Sequence, residues 1–119
     1  MILHITTQRQ WAAAQQQGIY RGDTLESEGF IHCSLLGQVT RTASRYFTGQ
    51  EGLLLLCIDE ARVRAEIRHE DLYQAGETFP HIYGPLNLDA VTESLDFPPN
   101  ADGTFTLPTS LQERGKTDV

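Results

Sequence analysis

The run Leu53-Leu54-Leu55-Leu56-Cys57-Ile58 constrains this chain more than any other feature. Six consecutive apolar residues have the length of a strand, and a strand with one wet face would alternate with polar residues instead. The run therefore predicts a strand covered on both faces, at the centre of a sheet. It is far short of the roughly 20 apolar residues that span a bilayer. The N-terminus also lacks the charged and apolar regions of a secretory leader, so a cytoplasmic location without a membrane is expected. At 119 residues the chain is the size of one domain, and 39% hydrophobic with 21% charged residues excludes a disordered chain or a coiled coil.

The flanking sequence supplies the neighbours of such a strand. Met1 to Thr6 alternates, with Leu3 and Ile5 on one face and Ile2, His4 and Thr6 on the other, as a first strand does. Thr7 and Gln10 form a capping-box pattern, and Gly18 closes a helix over Gln10 to Gln17 that carries Trp11, whose expected role is core packing. Ile19 to Glu28 reads as a connecting loop or single turn, and Phe30 to Ser34 as a second alternating strand. Leu36, Val39, Ala43 and Phe47 recur at helical spacing and predict a second helix, with Ser34 ahead as a candidate cap and Gly49 behind as a stop. Beyond the central run, an edge strand is expected within Asp59 to Arg68, and strands at Thr78 to Tyr83, Ala90 to Leu95 and Gly103 to Leu107. The expected domain covers residues 1–109, with a flexible tail over 110–119.

Three of the four histidines share one local pattern: His4-Ile5-Thr6, His32-Cys33-Ser34 and His81-Ile82-Tyr83. Positions i and i+2 of a strand share a face, so each strand buries its middle residue and presents an imidazole beside a hydroxyl. Were the three strands adjacent, they would line a cleft suited to a polar ligand such as a ribose. Glu70, at the start of the loop leading into Thr78 to Tyr83, is placed to reach that cleft as an acceptor of a sugar hydroxyl or as a general base. Arg64 and Arg68 are candidate phosphate partners, and Tyr46 a candidate pocket wall. His32 and Glu70 are the candidate catalytic residues.

Cys33 and Cys57 have no metal-ligand spacing and stand in apolar runs, which predicts buried thiols. A net charge of -7 with nine Lys and Arg opposes binding to long nucleic acid, because such binding works by neutralising phosphates. A small, nucleotide-like ligand held by one or two arginines is compatible with it. The residues give no expectation for oligomeric state.

The segments Glu28-Gly29-Phe30-Ile31-His32-Cys33-Ser34, Tyr46-Phe47-Thr48-Gly49 and Phe79-Pro80-His81-Ile82-Tyr83-Gly84-Pro85-Leu86, with His4-Ile5-Thr6 ahead of them, closely resemble the domain-of-unknown-function family 952 over about residues 1–107. That family is in turn similar to a remote branch of the ADP-ribosyltransferase fold, nearest the RNA 2′-phosphotransferases, whose histidine strands His4-Ile5-Thr6 and His32-Cys33-Ser34 match. The resemblance implies an α+β fold with a split, mainly antiparallel sheet and two short helices, and a cleft accepting NAD, as substrate, or an ADP-ribose-like group. The implied chemistry is loss of nicotinamide through an oxocarbenium-like state. On this resemblance His4 and Thr6 would hold the ligand, His32 and Ser34 its ribose or phosphate, and Tyr46 or Tyr83 would stack on the flat ring. Glu70, His81 and Glu93 are the candidates for the late group that fixes the ribose 2′-hydroxyl.

Two other classes fit the same residues. One is a non-enzymatic ligand-binding or interaction module. The other is a metal-dependent hydrolase, in which three histidines and a carboxylate form an open zinc site, although no pair of them has the short ligand spacing usual for one. Geometry separates the three, since catalysis needs the histidines in one place.

Overall fold

The computed structural model describes residues 1–112. Strand β1 (Ile2–Thr7) leads into helix α1 (Gln8–Gln17), followed by β2 (Ile19–Tyr20), the single-turn helix α2 (Leu25–Glu28) and β3 (Ile31–His32). Helix α3 (Val39–Tyr46) precedes β4 (Leu53–Ile58), β5 (Glu66–Glu70), β6 (Phe79–Tyr83), β7 (Leu86–Asn87) and β8 (Val91–Asp96). The ladders run β1-β4-β8, β2-β7 and β3-β6-β5, all antiparallel. The class is therefore α+β with mainly antiparallel strands and short helices, as expected. No helix among the described residues is long and apolar enough to cross a membrane.

The apolar run is β4, central in its sheet and buried at all six positions. Leu53, Leu55 and Cys57 join Leu3, Val39, Ala43 and Phe97 in one core cluster. Leu56 and Ile58 join Ile2, Tyr20, Ile31 and Ile82 in a second. Alternation along a strand sends neighbouring side chains to opposite faces, so the two clusters lie on either side of β4. Trp11 packs against the second cluster.

Local chemistry fixes the helix ends. Thr7 caps α1 by accepting the Gln10 N–H at 3.1 Å, and Gly18 ends it at φ +80°, a left-handed conformation that glycine adopts without steric cost. The Gln10 side chain does not return to Thr7; it bonds Thr6 and Asp23 instead. Gly29, at φ +88°, ends α2 and reverses the chain into β3. Helix α3 starts later than its apolar spacing suggests, at Val39, because the Gln38 side chain accepts the Leu35 N–H at 2.9 Å and bonds the Thr78 carbonyl rather than leaving Ser34 to cap.

Main-chain bonds between Leu3 and Ser34, both 2.8 Å, join the end of the β3 segment to β1. The ladder of β3 is thereby shorter than the expected Phe30–Ser34 strand, since Ser34 pairs with β1 and not β6. Three further expectations are refined or corrected. Ile19–Glu28 holds the expected single turn, as α2, together with the two-residue β2. The expected edge strand is present but begins only at Glu66, because Asp59 caps a 3-10 turn at Glu60–Arg62. Residues 103–107 form no strand: Asn100, Asp102 and Thr104 bond one another in a turn, and the Phe105 N–H donates to the Ser44 hydroxyl. Of the expected tail, 110–112 belong to a helical turn that begins at 109, with Leu111 fully buried in the first cluster, and 113–119 lie outside the described residues.

Candidate functional site

The ladder β3-β6-β5 has two unlike faces. Ile31, Cys33, Ile67 and Ile82 point into a core cluster. By alternation His32, Ser34, His81, Tyr83, Arg68 and Glu70 share the other face, and His32 pairs with His81 across the ladder. That face meets β1, α3 and the loop after β5 around a cleft of about 960 Å³. His4, Thr6, His32, Ser34, Tyr46 and His81 all line it. The three histidines thus converge, as do two of their three hydroxyl neighbours. Glu70, Arg68 and Tyr83 stand outside the lining, further along the same sheet.

His4 is the anchor. Its Nδ1–H donates to the His32 carbonyl at 2.5 Å, and Nε2 meets the Tyr20 hydroxyl at 2.6 Å. The Tyr20 hydroxyl also lies 2.9 Å from Thr6 Oγ1, Thr6 donates to Gln10 Oε1 at 3.0 Å, and Gln10 ends the chain on Asp23. Burial lowers the His4 pKa to about 4, against the bond to the His32 carbonyl, which raises it. The ring is neutral at pH 7. Burial likewise pushes Tyr20 up to about 12, so its hydroxyl keeps its proton.

His32 is half-buried. Nε2 lies 3.0 Å from Glu28 and Nδ1 3.4 Å from the Tyr73 hydroxyl, whose ring stacks on the imidazole at 6.1 Å between centroids. Glu28 is there because Gly29 folds α2 against β3. Tyr73 is held by a loop in which Asp71 accepts the N–H groups of Ala75 and Gly76 at 2.8 and 2.9 Å. Tyr46 and Tyr73 line the cleft yet stay 69% and 57% exposed, an uncommon state for two large rings unless something covers them.

His81 is 1% exposed and lies against Phe30, with ring centroids 4.4 Å apart. Its Nδ1 is 3.0 Å from Glu70 Oε1, which also accepts the Tyr83 hydroxyl. The Tyr83 bond first, and the His81 bond second, hold Glu70 below the usual carboxylate range, while the same bond raises Tyr83. Arg68 stacks over the Tyr83 ring at 4.4 Å and pairs with Glu66, and Arg64 pairs with Asp89. Glu93 lies on β8, which does not border the cleft.

The cationic side of the cleft comes from α3. Arg41 makes a two-pronged bond to Glu77, both contacts 2.9 Å, and Arg45 sits 5.4 Å from the Tyr46 ring centre. Both arginines line the cleft, where sequence spacing alone pointed to Arg64 and Arg68. Tyr20, Tyr73, Glu28 and Asp23 were also not marked by sequence. The i, i+4 relation of Glu28 to His32 was a readable signal, whereas Tyr20 and Tyr73 arrive through tertiary packing. Among the described residues no three His, Cys, Asp or Glu side chains are grouped to hold a metal ion, and His4 and His32 have both ring nitrogens engaged.

The cleft therefore offers a neutral anchored histidine, two further imidazoles, two exposed aromatic rings and two arginines. The model of the family described as "Protein of unknown function (DUF952)" matches residues 5–94. The crystal structure of protein CC0527 from Caulobacter crescentus is 34% identical and covers 93% of this chain and 97% of that one, with a TM-score of 0.84. The solution structure of CC0527 is 33% identical over 87% of this chain and 89% of that one, with a TM-score of 0.68. No curated protein matches this chain.

Proposed function

From the premise that the chain belongs to the DUF952 family, we propose that its cleft binds NAD or an ADP-ribose-like nucleotide and acts on it as a transferase or glycohydrolase, in a remote variant of the ADP-ribosyltransferase fold. The observation that carries the reading is the convergence of His4, His32 and His81 on one cleft of about 960 Å³, near the upper end of ligand-site volumes. Each part of a dinucleotide has a counterpart there. Tyr46 and Tyr73 offer faces for a flat heteroaromatic ring, His32 and Ser34 offer partners for ribose hydroxyls, and Arg41 and Arg45 offer charge for a pyrophosphate. Two buried thiols without a disulfide suit the cytoplasm as its place of action.

The chemistry on this reading is cleavage of the bond between ribose and nicotinamide. The neutral leaving group departs with the bonding electrons, and hydrogen bonds to the ribose hydroxyls favour the charge that develops on the ribose. A second reading, binding without turnover, is favoured by one observation: Glu70, the carboxylate that the sequence pointed to as general base, lies behind His81 and outside the cleft lining.

The test is titration of isotope-labelled protein with NAD and with ADP-ribose, followed by assay of nicotinamide release. Shifts at His4, His32, Ser34 and Tyr46 together with release support the transferase or glycohydrolase reading. Shifts without release select the binding module, and unchanged resonances at all four positions with both ligands sink the nucleotide reading.

A further inference from the structure

We propose that His81, fixed in one tautomer by Glu70, is the general base of the cleft. The inference takes its substrate from the nucleotide reading but not its geometry. Counting ring-nitrogen partners separates the three histidines. His4 uses one nitrogen on the His32 carbonyl and the other on Tyr20, and His32 uses its two on Glu28 and Tyr73. His81 uses only Nδ1, on Glu70.

The remaining nitrogen, Nε2, has no protein partner among the described residues. No fully enclosed side-chain nitrogen or oxygen among them lacks a partner, so Nε2 must reach open space. His81 lines the cleft and is otherwise sealed, so that space is the cleft.

The tautomer follows from the bonding. A carboxylate can only accept, and Glu70 already accepts the Tyr83 hydroxyl, so Nδ1 of His81 must carry the hydrogen it shares with Glu70. In the neutral ring Nε2 then presents a lone pair. Phe30, packed on the ring, blocks the rotation that would exchange the two nitrogens. Once Nε2 takes a proton, the adjacent carboxylate stabilises the imidazolium. Glu70 is thus a positioning residue rather than the base.

The step balances without a further reactant beyond water or an acceptor hydroxyl. The O–H proton passes to His81 Nε2, the oxygen bonds to the ribose anomeric carbon, and the carbon–nitrogen bond to nicotinamide breaks. Its electron pair neutralises the pyridinium ring, and His81 returns the proton to solvent. His32, whose nitrogens meet rim residues, is left to bind rather than to catalyse.

The experiment has two parts. Long-range proton–nitrogen correlation on histidine-labelled apo protein reads the tautomer: Nδ1–H for His81 in the wild type, mixed in Glu70→Gln, restored in Glu70→Asp. Nicotinamide release is then compared with NAD affinity. His81→Asn is expected to slow release at least about 100-fold while NAD affinity stays within about threefold. An Nε2–H tautomer in the wild type overturns the proposal whether or not the asparagine variant folds, as does His81→Asn turning over at the wild-type rate. Nδ1–H in a protein that does not bind NAD would support the base and reject the nucleotide reading.

Discussion

The Nδ1–H of His4 donates to the main-chain carbonyl of His32, 2.5 Å away, so one histidine of the cleft positions the backbone that carries another. The bond uses the carbonyl and leaves the His32 side chain untouched. On the proposed function, anchoring and ligand contact are divided between the two residues.

His32→Ala tests this division. The carbonyl survives the substitution and the side chain is only half-buried, so stability is expected to change by less than about 1 kcal/mol. Affinity for ADP-ribose is expected to fall at least about tenfold, or about 1.4 kcal/mol. Denaturant melts and calorimetric titration check the pair of outcomes; a variant that unfolds readily yet binds normally contradicts the division.

His4 makes stability depend on pH. Its folded pKa of about 4 lies below the ordinary 6.5, so the unfolded chain binds the proton more readily. The stabilisation is fully present above pH 6.5, declines as pH falls from 6.5 to about 4, and is exhausted below that. The ceiling is about 3 kcal/mol, reduced by whatever solvent reaches the half-buried ring. Urea denaturation of the wild type and His4→Gln from pH 4 to 8 isolates the effect from carboxylates common to both, and curves that stay parallel would rule it out.

Tyr20→Phe removes the hydroxyl that links His4 to Thr6 and leaves both partners facing a ring edge. A loss of about 1–3 kcal/mol is expected from two buried polar groups with an interrupted partner. The double variant with His4→Gln should lose less than the sum, because the two share one network. Additive losses in a double-mutant cycle would show that the chain of bonds is not coupled.

Leu55→Ala removes a fully buried side chain from the centre of β4. The expected cost is about 2–5 kcal/mol, the range for such truncations when the cavity does not collapse. The cleft does not include Leu55, so ligand affinity of the folded fraction should hold. Chemical denaturation gives the first quantity and titration at low temperature the second.

Much of this was legible from residue order. The unbroken run at Leu53–Ile58 located the central strand, and the threefold histidine pattern located the cleft, because both depend on alternation along single strands. Gly18 marked a helix end through backbone freedom alone, whereas Gly29, which ends α2, was not read as one. Residues that reach the cleft from other elements were not legible: Tyr20 arrives by the pairing of β2 with β7, and Tyr73 by a loop folded over the sheet. Ser34 looked like a helix cap and a strand residue at once, and only the bond to Leu3 shows that pairing with β1 wins. The alternation at Gly103–Leu107 misled, because a period of two signals a strand only where a neighbour completes the ladder, and the Asn100–Thr104 turn takes those hydrogen bonds locally.

Because β4 divides two cores, it has no side on which substitution is harmless. In a saturation mutagenesis map, most strands of such a protein would appear as stripes, tolerant and intolerant positions in turn. Leu53–Ile58 would appear instead as a solid block of six, since a charge placed anywhere along it is buried, at every position but Leu54 within one core cluster or the other.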